Sequence, residues 1–513
     1  RYKMEQVSSN RRIAKNTLFL YIRMLFVMAV TLYTSRLVLD ALGIEDYGLY
    51  NVVGGIVSIF AIINGALSSG SSRFITFELG RGDKERLGKT FSASFIIHTV
   101  IAFIVFVLAE TIGLWYVNNV LVVPEGRLVV ANWLYQFSVL TCMLALTQVP
   151  YSACIIAHEE MNIYAFVGIA EAVFKLLMVL FLTAIDSFDR LLFYGAMICG
   201  WQISLQFFYR FYCKRKFEEC RLRIVNEKHY YKSMLRFSLW DVMGSICITG
   251  YAQGINLMIN FFFGVVVNAA RGIALQVEMA VSQFSNNFMV AVGPQITKLF
   301  SLGETEKMMS LVRGSSKYSF LMFCTISLPL FLKIDYVLGL WLKEVPEYSA
   351  IFIRCLMLCN MVRAFARPVV LAVHASGNIK WLNLYAGGAS ILLNLPLSYT
   401  AYILGFPPYA CYIVCFFVNI LCNYLELIVL RKQVPFSICR YTRMVYMRSL
   451  VIVLISMVCM LGVSNITSAY PFISLMTVCC TSVVAMAVCT YYIGMSEEDR
   501  SKIVHYIKSK RCK

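Results

Sequence analysis

Charge is scarce in this chain: 14 % of its 513 residues are Asp, Glu, Lys or Arg, against about 25 % in soluble domains. That leaves too little charge to clothe a water-soluble protein of this size. A hydrophobic content of 59 % and a mean hydropathy of +0.70 place the chain in a bilayer instead. Acids are rarer than bases, 28 against 46, and there are 5 histidines, so groups for acid–base chemistry are few. No glycine-rich phosphate loop or other nucleotide fingerprint is present, which argues against direct drive by ATP. The eighteen cysteines include no C-x₂-C pair of the kind zinc sites use. Most lie in apolar runs, where a thiol behaves as a small apolar side chain, and no metal or organic cofactor is expected. Connections on one side stay within roughly a dozen residues, a length typical of simple turns. A membrane glycosyltransferase or polymerase would need acids or a large loop to hold donor and acceptor, so the chain does not read as an enzyme.

What is present in quantity is apolar sequence. Runs of about 20 residues, enough to cross a hydrocarbon core of about 30 Å, number fourteen. They centre near residues 28, 60, 104, 140, 172, 201, 250, 280, 328, 360, 392, 420, 455 and 482. The first is too long for a cleaved signal and has no A-x-A-like site, so it reads as a span. Basic residues near span ends are retained on the cytoplasmic side. With both termini inside, the inner segments take Arg11, Arg12 and Lys15, then Arg81, Lys84, Arg86 and Lys89, then Lys214 to Arg223, Lys298, Lys307, Arg313 and Lys317. Lys380, Arg431, Lys432, Arg440, Arg443 and the basic tail follow, while the outer connections keep Arg127, Arg190 and Lys343. This bias, with contact to anionic lipid head groups, accounts for a net charge of +18; nucleic acid is not implied.

The apolar runs repeat. Gly43 and Gly264 are 221 positions apart, and at the same offset the turn beginning Gly82-Asp83-Lys84 falls on Gly303-Glu304-Thr305. Pro150 and Pro368, 218 apart, each interrupt an apolar run at the matching place. Weakly similar halves are a signature of secondary transporters, whose substrate sites lie between repeats. The expected fold is all-α and membrane-integral: residues 1–212 as one six-helix lobe, a basic cytoplasmic linker at 213–232, and residues 233–432 as a second six-helix lobe. Residues 433–513 carry spans thirteen and fourteen and a tail in which Ile503, Val504, Tyr506 and Ile507 alternate with lysines, as in a short amphipathic helix on the inner leaflet.

Charges inside the spans need a partner, a wet cavity or a function, because each costs about 2.5–3.5 kcal/mol at mid-bilayer on insertion scales. Arg36 with Asp40 and Glu171 with Lys175 stand at i,i+4, on one helix face, and Arg271 and Glu278 are two turns apart. These three read either as self-neutralised pairs or as cavity groups, with an acid such as Glu171 or Asp241 coupling transport to Na⁺ or H⁺. Arg363 and Arg367 share a face, have no acid within a turn and immediately precede Pro368. The first half has Ala145 and Val149 at those places. Two planar guanidinium forks on one face suit a diphosphate; pairing between helices and snorkelling to the inner interface are the other readings. Arg23, alone in an apolar run, is the matching candidate from the first half. His98, His158 and His374 read as proton relays or as hydrogen-bonded core residues. Trp115, Tyr116, Trp341 and Tyr348 read as interface belt residues.

The segment Leu42-Gly43-Ile44-Glu45-Asp46-Tyr47-Gly48-Leu49-Tyr50-Asn51-Val52-Val53-Gly54-Gly55 resembles the Wzx-type polysaccharide-biosynthesis flippases, members of the superfamily that also holds MATE multidrug exporters and the lipid II flippase. Ser72-Arg73-Phe74-Ile75-Thr76-Phe77-Glu78-Leu79-Gly80 and the stretch from Pro150 to Glu159 extend the resemblance over nearly the whole chain. It implies twelve helices in two lobes working by alternating access, plus two C-terminal helices. The implied cargo is a polyprenyl-diphosphate-linked oligosaccharide, flipped from the inner to the outer leaflet of the bacterial inner membrane for surface polysaccharide or lipopolysaccharide synthesis. Arg363, Arg367, Arg23, Arg36 and Arg271 are its candidate ligands, and a Na⁺ or H⁺ gradient or the membrane potential is the implied drive. A polysaccharide polymerase and chain-length proteins are implied partners. The alternative is a MATE-type cation-coupled multidrug exporter, which should carry acids rather than unpaired arginines in its cavity.

Overall fold

The computed structural model describes residues 16–495 and 500, apart from 32, 35–36, 39–40, 43–45, 47–48, 51–52, 54–60, 120, 122, 124–125, 184–188, 224 and 343–344, with backbone alone at 61–63, 66, 183, 265 and 269. Gly43, Arg36, Asp40 and the amphipathic tail expected after Met495 lie outside the described residues.

Among the described residues the chain is helical, without strands. Its apolar helices are α1 (Asn16–Thr31), α2 (Ala61–Arg81), α3 (Lys84–Asn119), α4 (Leu128–Ala157), α5 (Met161–Thr183), α6 (Arg190–Lys216) and α7 (Lys228–Gly264). They continue as α8 (residues 265–301), α9 (Thr305–Trp341), α10 (Ser349–Ser376), α11 (residues 380–403), α12 (Ala410–Gln433), α13 (Ile438–Ile466) and α14 (Pro471–Gly494). Ten of these segments are by themselves long and apolar enough to cross a membrane. The second helix reaches Arg81, further than the run centred near residue 60 indicates. Its Ser68, Ser69, Ser71, Ser72, Arg73, Thr76 and Glu78 hide that half from an apolarity count.

The breaks follow local chemistry. Gly82 (φ 76°) ends α2 and Gly303 (φ 73°) ends α8 in the left-handed region that glycine enters without a Cβ clash. Asp83 then caps α3, accepting from the Glu85 and Arg86 amides at 3.1 Å, the ordinary use of a carboxylate at a helix start. Gly264 (φ 82°, ψ −177°) separates α7 from α8. Pro150 lies within the fourth helix and Pro368 within the tenth. The residues ending those helices, Glu159 (φ 60°) and Gly377 (φ 78°), are also left-handed and also 218 positions apart.

The chain groups into two compact units. One holds residues 1–246, 290–303 and 377–379, and in it α3 packs on α4, α4 on α6 and α5 on α6. The other holds residues 247–289, 304–376 and 380–513, where α9 packs on α10, α10 on α12 and α11 on α12, the same pairings six helices later. In the second unit α13 and α14 pack on each other and on α9. Tyr441 donates to Ser316 Oγ at 2.7 Å and Ser482 to the Thr325 carbonyl at 2.7 Å.

Candidate functional site

Helix α10 is apolar on most sides, with Phe352, Ile353, Met357, Phe365, Val369 and Val373 buried. Within it Pro368 cannot donate to the Ala364 carbonyl four residues back, a local weakness in the ladder. Arg363 and Arg367 lie on the turn before it. Arg363 Nη1 donates to Glu426 Oε1 of α12 at 2.9 Å. The two partners are unequal: the Arg363 side chain is 32 % exposed and that of Glu426 2 %. Glu426 Oε2 is buried with no hydrogen-bond partner, as is the hydroxyl of Tyr446, whose ring meets Phe365 edge-on at 4.7 Å. Asn423, one turn before Glu426, donates to the Val362 carbonyl at 2.8 Å and locks α12 against α10 beside the pair.

Arg367 has neither a hydrogen bond nor an ion pair among the described residues; Glu278 of α8 acts on it at longer range. Glu278 itself accepts from Ser282 Oγ at 2.8 Å. The two arginines that share a face in sequence thus part in partners: among the described residues Arg363 has an ion pair and Arg367 has none.

The expected pairing of Arg271 with Glu278 does not form. Arg271, 7 % exposed, donates to Asn256 Oδ1 at 3.0 Å and to the Ala252 carbonyl at 2.8 Å, both on α7. Two turns span about 10 Å along a helix, and the neighbouring helix offers acceptors nearer than that. Arg271 therefore joins α7 to α8, with its Nε buried and without a partner.

Arg23 sits in the other unit. Its guanidinium lies over the Tyr164 ring, 4.6 Å from the centroid, in the arrangement that favours cation–π attraction. Gly168 makes the room, since a Cβ there would stand 2.3 Å from Arg23 Nε. That Nε is buried without a hydrogen-bond partner. Glu171 and Lys175 form the expected i,i+4 ion pair at 2.7 Å. Asp241 is half-buried on α7. Of the histidines, His98 is buried with Nδ1 on the Ser94 carbonyl at 2.8 Å, a core arrangement.

His158 lies outside the helices. Its Nε2 is 2.5 Å from Glu219 Oε1, and its ring stacks on Phe217 at 4.1 Å. Burial pushes the Glu219 carboxyl up; the His158 imidazole and a backbone amide bonded to it offset this and leave it below its ordinary value. Lys84 likewise holds Glu218 below the usual carboxylate range. With Lys89–Glu227 at 2.9 Å and Lys216–Glu160 at 2.7 Å, these contacts tie the segment at 213–232 to the ends of α3 and α4. Near the opposite helix ends, Arg127 bridges Asp46 and Asp189, and Asp189 also caps α6 through the Leu192 amide at 3.0 Å.

Glu426 is not among the residues that the sequence analysis singles out. A signal was available: Asn419, Asn423 and Glu426 recur at spacings of four and three, a polar stripe on an otherwise apolar helix.

Neither a protein-family model nor a curated protein matches the chain. Solved structures do. A MATE transporter in a straight conformation aligns at 13 % identity over 83 % of this chain and 96 % of its own, with a TM-score of 0.71. A variant of the Vibrio cholerae MATE transporter VcmN aligns at 14 %, over 83 % and 97 %, with a TM-score of 0.69. A MOP-superfamily transporter from Pyrococcus furiosus, described as having a binding pocket of reverse polarity that suggests a different function, aligns at 13 %, over 82 % and 96 %, with a TM-score of 0.69. At such identity the likeness establishes the fold: the chain is an all-α, multi-pass membrane protein built as MATE transporters are.

Proposed function

We propose that the chain is a secondary transporter that flips a polyprenyl-diphosphate-linked oligosaccharide from the inner to the outer leaflet of the bacterial inner membrane, for surface polysaccharide or lipopolysaccharide synthesis. The observation that carries this reading is Arg367, a guanidinium within an apolar helix, free of ion pairs among the described residues and one turn from Arg363. Such a charge is expensive inside a membrane unless it meets water or an anion. A diphosphate offers an anion whose oxygens match the planar fork. Arg363 and Arg367 are the proposed diphosphate ligands, with Arg23, Arg36 and Arg271 as further arginines of the path. The fold supports a carrier; alternating access would act between lobes 1–212 and 233–432, with both termini cytoplasmic. A Na⁺ or H⁺ gradient or the membrane potential would supply the drive, with Glu171 and Asp241 the acids first indicated by sequence. A polymerase and chain-length proteins would take the product outside.

A second reading, cation-coupled multidrug export, is favoured by the MATE fold itself. A carrier of cationic drugs should present acids to its cavity, whereas here the buried acid Glu426 is covered by an arginine that is the more exposed of the two. Deleting the gene and analysing lipid-linked oligosaccharides separates the readings. The flippase reading expects them to accumulate on the cytoplasmic leaflet while surface polysaccharide is lost. Unchanged surface polysaccharide with heightened sensitivity to cationic drugs would instead support the exporter.

A further inference from the structure

We infer that Glu426 is the proton-coupling acid of the transport cycle, and that it couples by competing with the substrate's diphosphate for the guanidinium of Arg363. The diphosphate rests on the function proposed above; the competition rests on the pair itself.

Four observations carry it. The first is exposure: the arginine, 32 % exposed, is the member of the pair an anion can reach, and the carboxylate, 2 % exposed, is the member it cannot. An arginine surface open to lipid would be expensive, and its open face is therefore taken to meet water. The second is stoichiometry. Glu426 uses one oxygen on Arg363, while Oε2 is buried and has no hydrogen-bond partner, leaving a lone pair on which a proton can sit. The third is the neighbourhood. Among the described residues the cation acting on Glu426 is Arg363. The other titratable groups facing it are Tyr441 and Tyr446 of α13 and Cys422 on its own helix; Arg313 of α9 acts on Tyr441. None of these replaces Arg363 as a counter-ion. The fourth is Arg367, one turn on and without an ion pair among the described residues, which can engage one phosphate while Arg363 is still held.

The step then balances simply. A phosphate oxygen draws the Arg363 fork away from Glu426. A carboxylate buried without its cation is strongly disfavoured, so a proton from the aqueous phase forms an O–H bond on Glu426, and the site gains one positive charge that offsets part of the negative charge of the bound anion. Release of the diphosphate reverses the sequence: Glu426 gives its proton to water on the side where the site is then open and recaptures Arg363. One proton thereby leaves with each substrate, without any direct contact between proton and substrate, so the drive this cycle uses is the membrane potential acting on the anion's remaining negative charge rather than an inward proton gradient. The acids Glu171, already paired with Lys175 at 2.7 Å, and Asp241 are not required for this step.

The test uses the purified full chain in detergent with farnesyl diphosphate as probe. Calorimetry in buffers of different ionisation enthalpy reads protons taken up per probe bound. Wild type should take up about one proton more than Glu426→Gln, a difference that removes the probe's own titration. Glu426→Gln should bind the probe at least about fivefold more tightly, because Arg363 no longer has to leave a charged partner, an exchange of the size of a hydrogen bond to a charged group. Glu426→Asp, which keeps a titrating carboxylate, should retain the proton uptake and serves if the amide variant does not fold. Probe binding with equal proton uptake in wild type and Glu426→Gln overturns the coupling inference alone. No probe binding by wild type at any pH overturns the diphosphate reading on which it rests.

Discussion

Glu426 receives the guanidinium of Arg363 at 2.9 Å across 63 residues of sequence, and the acid is the buried member of the pair. The relationship separates two arginines that look alike one turn apart on α10. Arg363 is tied to the fold through Glu426. Arg367 is not tied to it by any ion pair among the described residues, so the same substitution at the two positions should act on different properties.

Removing one partner of a buried ion pair strands the other and costs roughly 3–5 kcal/mol, whereas replacing both by apolar groups is often close to neutral. Arg363→Ala, which strands the buried Glu426, should therefore lower the melting temperature and yield of the detergent-extracted protein, and Glu426→Ala, which leaves a partly exposed arginine, should lower them less. Arg363→Leu combined with Glu426→Leu should recover most of both. A double variant as unstable as the sum of the singles would mean that the two side chains contribute separately and that the pair is not a unit.

Orientation is tested by thiol accessibility in a cysteine-free background. Asn119, Glu347, Arg86 and Glu306 are all exposed, and the lysine and arginine bias of the sequence puts the first two outside and the second two inside. Cysteines at the first two should label from outside intact cells, and those at the second two should label after permeabilisation. Phe217, attractive from its place in the basic linker, is a poor reporter because it is buried against His158. Reversed labelling at any two positions would overturn the orientation read from lysine and arginine.

The positions of the helices were legible in sequence because bilayer thickness sets a length and apolar residues fill it. The gap was α2, whose serines, Arg73 and Glu78 lie within a helix and depress the very signal being counted. Breaks at Gly82, Gly264 and Gly303 were legible too, since a left-handed residue wants glycine. The partner of Arg363 was not. Side-chain pairing within a helix can be read from i,i+4 spacing, and it succeeded for Glu171 with Lys175. It failed for Arg271, which turns to α7, and could not reach Glu426 on α12, because contacts between helices depend on rotation and register that one sequence does not encode in its spacing. The left-handed Glu159 at the end of α4 escaped notice for a related reason. Its equivalent, Gly377, announces itself by type, while a glutamate with φ of 60° does not.

The Glu219 contact with His158 gives a pH dependence with a defined sign. The folded carboxyl lies below its ordinary value, so its stabilisation is fully present above the unfolded value of about 4.3 and is lost as pH falls through the lower folded value. Thermal melts of wild type should hold steady from neutral pH down toward that range and then decline. Glu219→Gln should be less stable by roughly 1.5–3 kcal/mol at pH 7, the size of a hydrogen bond involving a charged group, with the difference shrinking at the acid end. A difference independent of pH would mean that the carboxylate charge plays no part in holding the linker.

Arg367 supplies the sharpest functional prediction. With no ion pair to lose among the described residues, Arg367→Ala should insert and melt like wild type while failing to restore surface polysaccharide in a deletion strain. Arg367→Lys keeps the charge but replaces a planar fork with a point donor. If the residue grips a diphosphate through two parallel hydrogen bonds, the lysine variant should also fall short, losing affinity for farnesyl diphosphate by about 10-fold or more, on the order of 1.4 kcal/mol. If the residue serves only as a positive charge facing water, lysine should behave as wild type in both assays, and the fork geometry would have no role. Full complementation by Arg367→Ala at normal expression would remove the residue from the mechanism and leave Arg363 and, separately, Arg23, whose Nε is buried without a hydrogen-bond partner, as the next candidates.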